Sequence, residues 1–303
     1  MSKSGVTAEK EIRMINDYII FTDASADVAL DVSREHDVHF IAMPCESDGN
    51  IFDCTGVDDD EKLKKFYADI RTGSLPKTTQ ITPFIYEEIF TPFLESGKSV
   101  LYLSLSSGLS STFESATRAA ETLNEKFENA KLLPIDSIGA TGAMGVLVER
   151  MIKNREAGLS AEDNKADIEK FKHHIYTTCY VEDLHHLKRG GRIGAATAVI
   201  GSALKIKPII KITADGKLET NAKPKGERKA IMHLSEVYAN HADLASDSVV
   251  YISDADNTEM ADIMEEEIKK TKPDAVIRRR MLSPIIGTHL GPESVVISFV
   301  TKD

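Results

Sequence analysis

The amino-acid sequence predicts an α/β protein of two domains, a parallel-rich sheet domain followed by a smaller mixed α/β domain. The chain has 303 residues, which exceeds the size that one hydrophobic core usually serves. Strand-like and helix-like segments alternate through the first half, the pattern of a parallel sheet covered on both faces. Beyond about Lys170 the pattern changes to hairpins and mixed strands. We therefore place the domains at residues 1–170 and 171–303.

The elements of the first domain follow from its apolar spacing. Strands are predicted where apolar residues form short uninterrupted runs, at Tyr18–Phe21, Val38–Met43, Val100–Leu103 and Lys131–Ile135. Helices are predicted where apolar residues recur every three or four positions, at Val28–Glu35, Leu63–Ile70, Phe84–Leu94, Phe113–Phe127 and Met144–Arg155. Leu75–Pro83 is rich in Thr and Pro and predicts an extended loop. Pro92 predicts a kink or break in the third helix.

The second domain is predicted to combine hairpin-connected strands with helices. Asp215-Gly216 is a strong hairpin signal, because this dipeptide suits a tight turn between two strands. The predicted strands are Ile175–Val181, Pro208–Thr213, Leu218–Lys223, Ser248–Ser253, Ala275–Arg280 and Ser294–Val300. The predicted helices are Leu184–Lys188, Ala195–Leu204, Ala230–Tyr238 and Asp262–Lys270.

A serine- and glycine-rich turn, Ser104–Thr112, connects a predicted strand with a predicted helix. Ser106 and Ser107 carry hydroxyl donors, and Gly108 lets the backbone turn tightly. The N-terminus of a helix adds backbone N–H groups and the positive end of the helix dipole. The turn therefore predicts an anion-binding site. A Ser/Thr helix cap without a ligand explains the same residues equally well.

Polar residues follow several predicted strands of the first domain. The segments Thr22-Asp23, Thr78-Thr79, Ser106-Ser107 and Asp136-Ser137 are expected to meet at one sheet edge, because ligands of open α/β sheets bind at the carboxyl ends of the strands. Capping of the following helices is the alternative role for Asp23 and Asp136.

Composition excludes several classes of function. The net charge of −11 argues against a nucleic-acid surface, and no apolar run approaches the ~18 residues that span a bilayer. The polar N-terminus does not resemble a signal peptide, so we expect a cytoplasmic protein. Cys45, Cys54 and Cys179 are an odd number without framework spacing, which predicts reduced thiols and no zinc site.

Seven segments in this order resemble the DegV family of bacterial fatty-acid-binding proteins. They are Thr22–Asp27, Leu75–Gln80, Ser104–Ser110, Val181–Leu184, Lys188–Ile193, Leu204–Pro208 and Gly287–Pro292. The resemblance extends over nearly the whole chain from about Ile19. It implies two α/β domains that hold an acyl chain between them.

The resemblance also implies roles for particular residues. Thr78 or Thr79, together with Ser106 or Ser107 in the Gly108 turn, would bind the ligand carboxylate, with His289 close by. Arg192 would help to order the head-group region. The implied ligand is a long-chain fatty acid of the palmitate, stearate or oleate type, with no cofactor and no catalytic residue in this chain.

A partner enzyme is implied as well. The best-known members of the family present the bound acid to a separate fatty acid kinase, which phosphorylates its carboxyl group. Lys225 and Arg228 stand where the family has a docking segment richer in Arg and Lys, so this segment departs from the pattern.

Two alternatives belong to other classes. A serine hydrolase or esterase would use Ser106 as the nucleophile, His289 as the base and Asp183 or Asp136 as the orienting acid, but the G-x-S-x-G elbow is missing. A nucleotide-dependent transferase would use the serine turn for phosphate, but the sequence lacks a P-loop.

Overall fold

Three β-sheets organise the part of the chain that the computed structural model describes, residues 18–56, 59–182, 184–193, 205–245 and 249–302. The predicted helix at Ala195–Leu204 and the residue Asp183 lie outside this part.

The strands are β1 Tyr18–Asp23, β2 Val38–Ile41, β3 Met43–Ser47, β4 Asn50–Cys54, β5 Lys77–Thr78, β6 Ser99–Ser104, β7 Leu132–Asp136, β8 Ile175–Tyr180, β9 Ile209–Ile212, β10 Leu218–Ala222, β11 Val250–Asp254, β12 Ile277–Met281 and β13 Val295–Val300. The helices are α1 Leu30–Glu35, α2 Asp60–Arg71, α3 Pro83–Glu95, α4 Thr112–Lys126, α5 Gly142–Glu156, α6 Ala161–Phe171, α7 His185–Arg189, α8 Glu227–His241, α9 Thr258–Thr271 and α10 Pro284–Leu290.

A parallel sheet in the order β2-β1-β6-β7 forms the centre of the first half. Every residue of β1 is buried, because α3 and α4 cover one face of the sheet while α5 and α6 cover the other. Strands covered on both faces have to be apolar throughout rather than alternating. The prediction of a doubly covered parallel-rich sheet is confirmed.

A six-stranded mixed sheet in the order β10-β9-β8-β13-β11-β12 forms the second half. All neighbouring strands are antiparallel except the parallel pair β11 and β12. Helices α8 and α9 cover one face, where Leu234 and Met264 pack with Ile297. A third sheet, β4-β3-β5, is small and antiparallel.

Helix α5 lies between the parallel sheet and the uncovered face of the mixed sheet. It contacts β1 on one side and β8, β11 and β13 on the other, so it is buried around most of its circumference. Gly142 and Gly145 allow this close approach, because a Cβ atom at either position would overlap the Tyr251 side chain. The two halves therefore share one layer of packing.

The sequence pattern does not predict the β3-β4 hairpin, the two-residue strand β5 or the helices α6 and α10. Strand β5 lies within the predicted loop Leu75–Pro83, and α10 overlaps the Gly287–Pro292 segment. Pro92 does not break α3, which is continuous from Pro83 to Glu95.

Asp27 is a buried acid at the contact between the two halves. Burial raises the pKa of its carboxyl from 3.8 to about 6, although the nearby charge of Arg280 and the polar groups of Ser253 and Ser283 act in the opposite direction. Its Oδ2 atom makes no hydrogen bond. The charged form of Asp27 is therefore poorly compensated in the folded protein.

We expect Asp27 to make stability depend on pH. The folded chain holds the Asp27 proton more tightly than the unfolded chain, so this group stabilises the fold below pH ~4 and that stabilisation is lost as the pH rises through about 6. Relative to Asp27→Asn, the free energy of unfolding of the unmodified protein should fall by about 1–3 kcal/mol between pH 4 and pH 8. Urea denaturation of both proteins measures it, and a difference that is independent of pH would contradict the assignment.

Candidate functional site

A cavity of about 600 Å³ lies between the two halves of the chain. Its walls come from the loops after β6 and β7, from the small sheet, from α10 and from the face of β8, β9 and β13. Apolar side chains form much of the wall, including Leu105, Ile210, Ile212, Ile285, Ile286 and Val296. The volume falls in the range of ~300–1,000 Å³ that small-molecule sites occupy.

The β9-β10 hairpin closes one side of the cavity by docking on the serine-rich turn. The Ser106 hydroxyl is buried and donates to the carbonyl oxygen of Gly216 (2.8 Å). Gly108 packs so tightly against the hairpin that a Cβ atom would lie 2.6 Å from the same oxygen. Ser106 and Gly108 therefore join the two halves and do not line the cavity.

Thr78 and His289 form a polar pair on the cavity wall. Thr78 lies on β5, where it is paired with Cys45 of the neighbouring strand β3. Its Oγ1 atom lies 3.0 Å from Nε2 of His289. The other ring nitrogen, Nδ1, is buried without a partner, and Gly190 packs directly against it. A bare lone pair is easier to bury than an N–H group, so we assign the proton to Nε2. In this tautomer His289 donates to Thr78, and the Thr78 hydroxyl proton can point into the cavity.

The environment keeps His289 neutral. Burial, followed by the charges of Arg192, Arg189 and His186, lowers the pKa of His289 to about 4. Arg192 lines the cavity and donates through Nε to Leu109 (3.2 Å) and through Nη1 to Gly190 (2.5 Å). These two bonds use two of its five N–H donors. The positive charge at this wall therefore comes from arginine and not from histidine.

Ser107 is one of the serines of the turn that line the cavity. Its hydroxyl donates to Oδ2 of Asp136 (2.5 Å), and its backbone N–H donates to Oδ1 (3.1 Å). Ser110 and Ser111 line the same wall where α4 begins, and the Ser111 side chain makes no capping hydrogen bond.

Asp23 and Asp136, for which helix capping was the alternative role, accept hydrogen bonds from loop residues. Asp23 is fully buried and accepts from the backbone of Ser25 and Leu105 and from the Tyr102 hydroxyl. Asp136 accepts from the backbone of Ser107 and Ile138. Both tie together loops at the carboxyl ends of parallel strands, which is where the sequence placed the polar residues.

The structure brings together Thr78, Thr79, Ser107, Arg192 and His289 on one cavity. Lys225 and Arg228 are exposed and lie away from it, at the start of α8. Residue-level reasoning alone did not select Arg192 or His289, which came from the family resemblance. The signal for His289 is Gly190, since a glycine there leaves room for the imidazole ring, and no local pattern marks Arg192.

The hydrolase hypothesis gains no support from this geometry. Ser106 bonds to Gly216 and Gly108, whereas His289 bonds to Thr78, so the nucleophile and base are not paired. Asp136 bonds to Ser107 instead of either residue.

The described residues contain neither a metal-binding cluster nor a membrane-spanning helix. No group of three or more His, Cys, Asp or Glu side chains is arranged to hold a metal ion. No helix in these ranges combines the length and apolarity needed to cross a membrane. The three cysteines are buried and unbridged.

Fold and site together define a class of protein: two α/β halves that enclose an apolar cavity with a cluster of hydroxyl, imidazole and guanidinium groups on its wall. The sequence profile of an uncharacterised protein family, DegV, matches residues 18–302, and the chain belongs to the DegV family.

Relatives of known sequence and structure agree with this assignment. A DegV domain-containing protein of Clostridium perfringens is 30% identical over 283 residues, covering 93% of this chain and 97% of that protein. The crystal structure of DegV from Bacillus subtilis, described as a fatty acid binding protein, is 26% identical with a TM-score of 0.81, covering 94% and 99% of the two chains. A family member from Eubacterium eligens, loaded with heptadecanoic acid, has the same fold at 19% identity, with a TM-score of 0.82 and coverage of 94% and 100%.

We expect Ser106 to be a structural residue. Ser106→Ala leaves the Gly216 carbonyl without its side-chain donor at a buried contact, which should lower the free energy of unfolding by about 1–3 kcal/mol. Ser96→Ala is the matched control, because its exposed hydroxyl also donates to a backbone carbonyl, that of Phe93, and its loss should cost under ~1 kcal/mol. Chemical denaturation measures both, and equal effects would contradict the assignment.

Proposed function

We propose that this chain binds one long-chain fatty acid, of the palmitate, stearate or oleate type, in the cavity between domains 1–170 and 171–303, and that it is a carrier and not an enzyme. The observation that carries the proposal is the cavity of about 600 Å³, which is largely apolar and has polar groups gathered beside Thr78 and His289. Fatty acids are bound by solved relatives with this fold.

The apolar wall would supply most of the affinity. Burying about 16 carbons at ~0.8 kcal/mol per methylene gives roughly 13 kcal/mol before the costs of association and ordering. The tail would lie along the isoleucine and valine side chains of β9, β13 and α10. The polar groups then have the smaller task of offsetting desolvation of the carboxylate and fixing its position.

The carboxylate would lie beside Thr78, Thr79, Ser107 and Arg192. The Thr78 hydroxyl is oriented by His289 and donates to a carboxylate oxygen, while the Arg192 guanidinium supplies the opposite charge. His289 is neutral at pH 7, so its contribution is to hold Thr78 in position.

We further propose that the bound acid is presented to a fatty acid kinase in the cytoplasm, which forms the acyl phosphate. Lys225 and Arg228 would contact that kinase, because both are exposed and basic on a chain whose net charge is −11. An acidic kinase surface would be the complement.

Native mass spectrometry of the freshly purified protein tests the carrier role, and we expect a mass increment of one fatty acid. After delipidation, Thr78→Val should raise the Kd for palmitate about tenfold, because it removes a donor to a charged group. An unliganded mass together with no uptake of palmitate or oleate would refute the proposal.

Thr177→Val is the matched control for that experiment. Thr177 also lines the cavity, but its hydroxyl bonds to Ser298 on the mixed sheet, so the substitution should change the Kd for palmitate less than threefold. Equal effects of the two threonine variants would place the carboxylate elsewhere.

The kinase contact is tested by charge reversal. Lys225→Glu with Arg228→Glu should leave palmitate affinity within twofold and lower the rate of acyl phosphate formation by a bacterial fatty acid kinase at least tenfold, roughly the effect of losing one charge pair. Lys62→Glu with Lys64→Glu on α2 changes the net charge equally at two exposed lysines and serves as the control. An unchanged rate in the double variant would contradict the docking assignment.

A further inference from the structure

The hydroxyl of Ser107 is already committed to a partner within the protein. Its Oγ donates to Oδ2 of Asp136, and hydrogen bonds to a carboxylate are stronger than those to a neutral acceptor. A serine hydroxyl has one proton, so it cannot also donate to a ligand at the same time. The Ser107 oxygen therefore offers the cavity lone pairs and no proton.

Asp136 is held firmly in this role. Its Oδ1 accepts from the backbone N–H groups of Ser107 (3.1 Å) and Ile138 (2.9 Å), so the carboxylate cannot turn away without breaking two further bonds. Lys172 reaches the backbone carbonyl of Asp136 (2.8 Å) and pairs with Glu169 (2.5 Å). These lysine contacts are made to other oxygens and leave the carboxylate of Asp136 as a local negative charge.

We propose that Asp136 is a positioning residue that competes with the bound fatty acid for the Ser107 hydroxyl and so weakens the grip of the cavity on the ionised carboxylate. The inference rests on the proposed function. Ser107 lines the cavity, so a carboxylate beside it would face both the acceptor side of that hydroxyl and the charge of Asp136. Like charges repel and favour the protonated acid.

The competition has a chemical consequence for a carrier. The apolar wall alone supplies a large affinity, and a strong additional bond to the carboxylate would slow release of the acid. Asp136 keeps the head group weakly held while the tail determines retention. Substrates whose carboxyl group carries no charge escape the repulsion.

The isosteric substitution Asp136→Asn tests the proposal. Asparagine keeps an acceptor for the two backbone N–H groups, and its Nδ2 donates to Ser107, which frees the serine proton for the ligand. We expect the Kd for palmitate to fall about tenfold. Asp69→Asn, an exposed carboxylate on α2 that pairs with Lys65, changes the net charge equally and should have no effect.

A spectroscopic measurement distinguishes competition from a purely structural role. With palmitate labelled with ¹³C at its carboxyl carbon, the titration of the bound carboxyl followed by NMR should have a higher midpoint in the unmodified protein than in Asp136→Asn. If Asp136 only stabilised the loop, Asp136→Asn would weaken palmitate binding and would leave this midpoint unchanged.

Hexadecanamide provides a second test that does not depend on the folding of the asparagine variant. It has the tail of palmitate and an uncharged head group, so it escapes the repulsion from Asp136 and should bind the unmodified protein with a Kd within threefold of that for palmitate. A Kd for hexadecanamide that is more than tenfold weaker, or a Kd in Asp136→Asn that is equal to or weaker than that of the unmodified protein, would overturn the proposal. Absence of palmitate binding by the unmodified protein would instead refute the carrier function.

Discussion

The packing of α5 between two sheets is the constraint on which the cavity depends. Gly142 and Gly145 bring the helix into contact with Tyr251, so the helix fills the space between the mixed sheet and the parallel sheet. The helix begins after Thr141, and the space beyond that end is left between the two sheets. The loops after β6 and β7 and the β9-β10 hairpin surround this space. The cavity forms at this end of α5, because the two sheets continue beyond the helix that packs between them.

The polar wall is built from groups whose hydrogen bonds are directed by neighbours. His289 is neutral and orients Thr78, Asp136 fixes Ser107, and Ser106 holds the hairpin. Adjacent serines in one turn therefore have different roles, since one faces the second half of the chain and the other faces the cavity. The charge of Arg192 and that of Asp136 act in opposite directions on an anion at this wall. In the function proposed above, affinity for a carboxylate head group is the difference between these contributions.

Much of the fold follows from local sequence patterns. The buried strands of the parallel sheet are continuous apolar runs. In the mixed sheet, the Asp215-Gly216 turn indicates the β9-β10 hairpin. Helix α10 was missed because its seven residues are too few to show a helical period, and Ser283-Pro284 alone does not specify a helix. The β3-β4 hairpin was missed because β4 is exposed at four of its five positions and so carries little apolar pattern.

By itself the sequence determined the fold class and the polar loops at the ends of the parallel strands. The family resemblance pointed to Thr78, Thr79, Ser107, Arg192 and His289, which line the cavity. These are properties of short segments, and local spacing records them. Only the tertiary structure decided that Ser107 faces the cavity and Ser106 the hairpin, and that His289 meets Thr78 across 211 positions of sequence. Which way a hydroxyl points depends on partners from distant segments. No pattern within one turn contains that information.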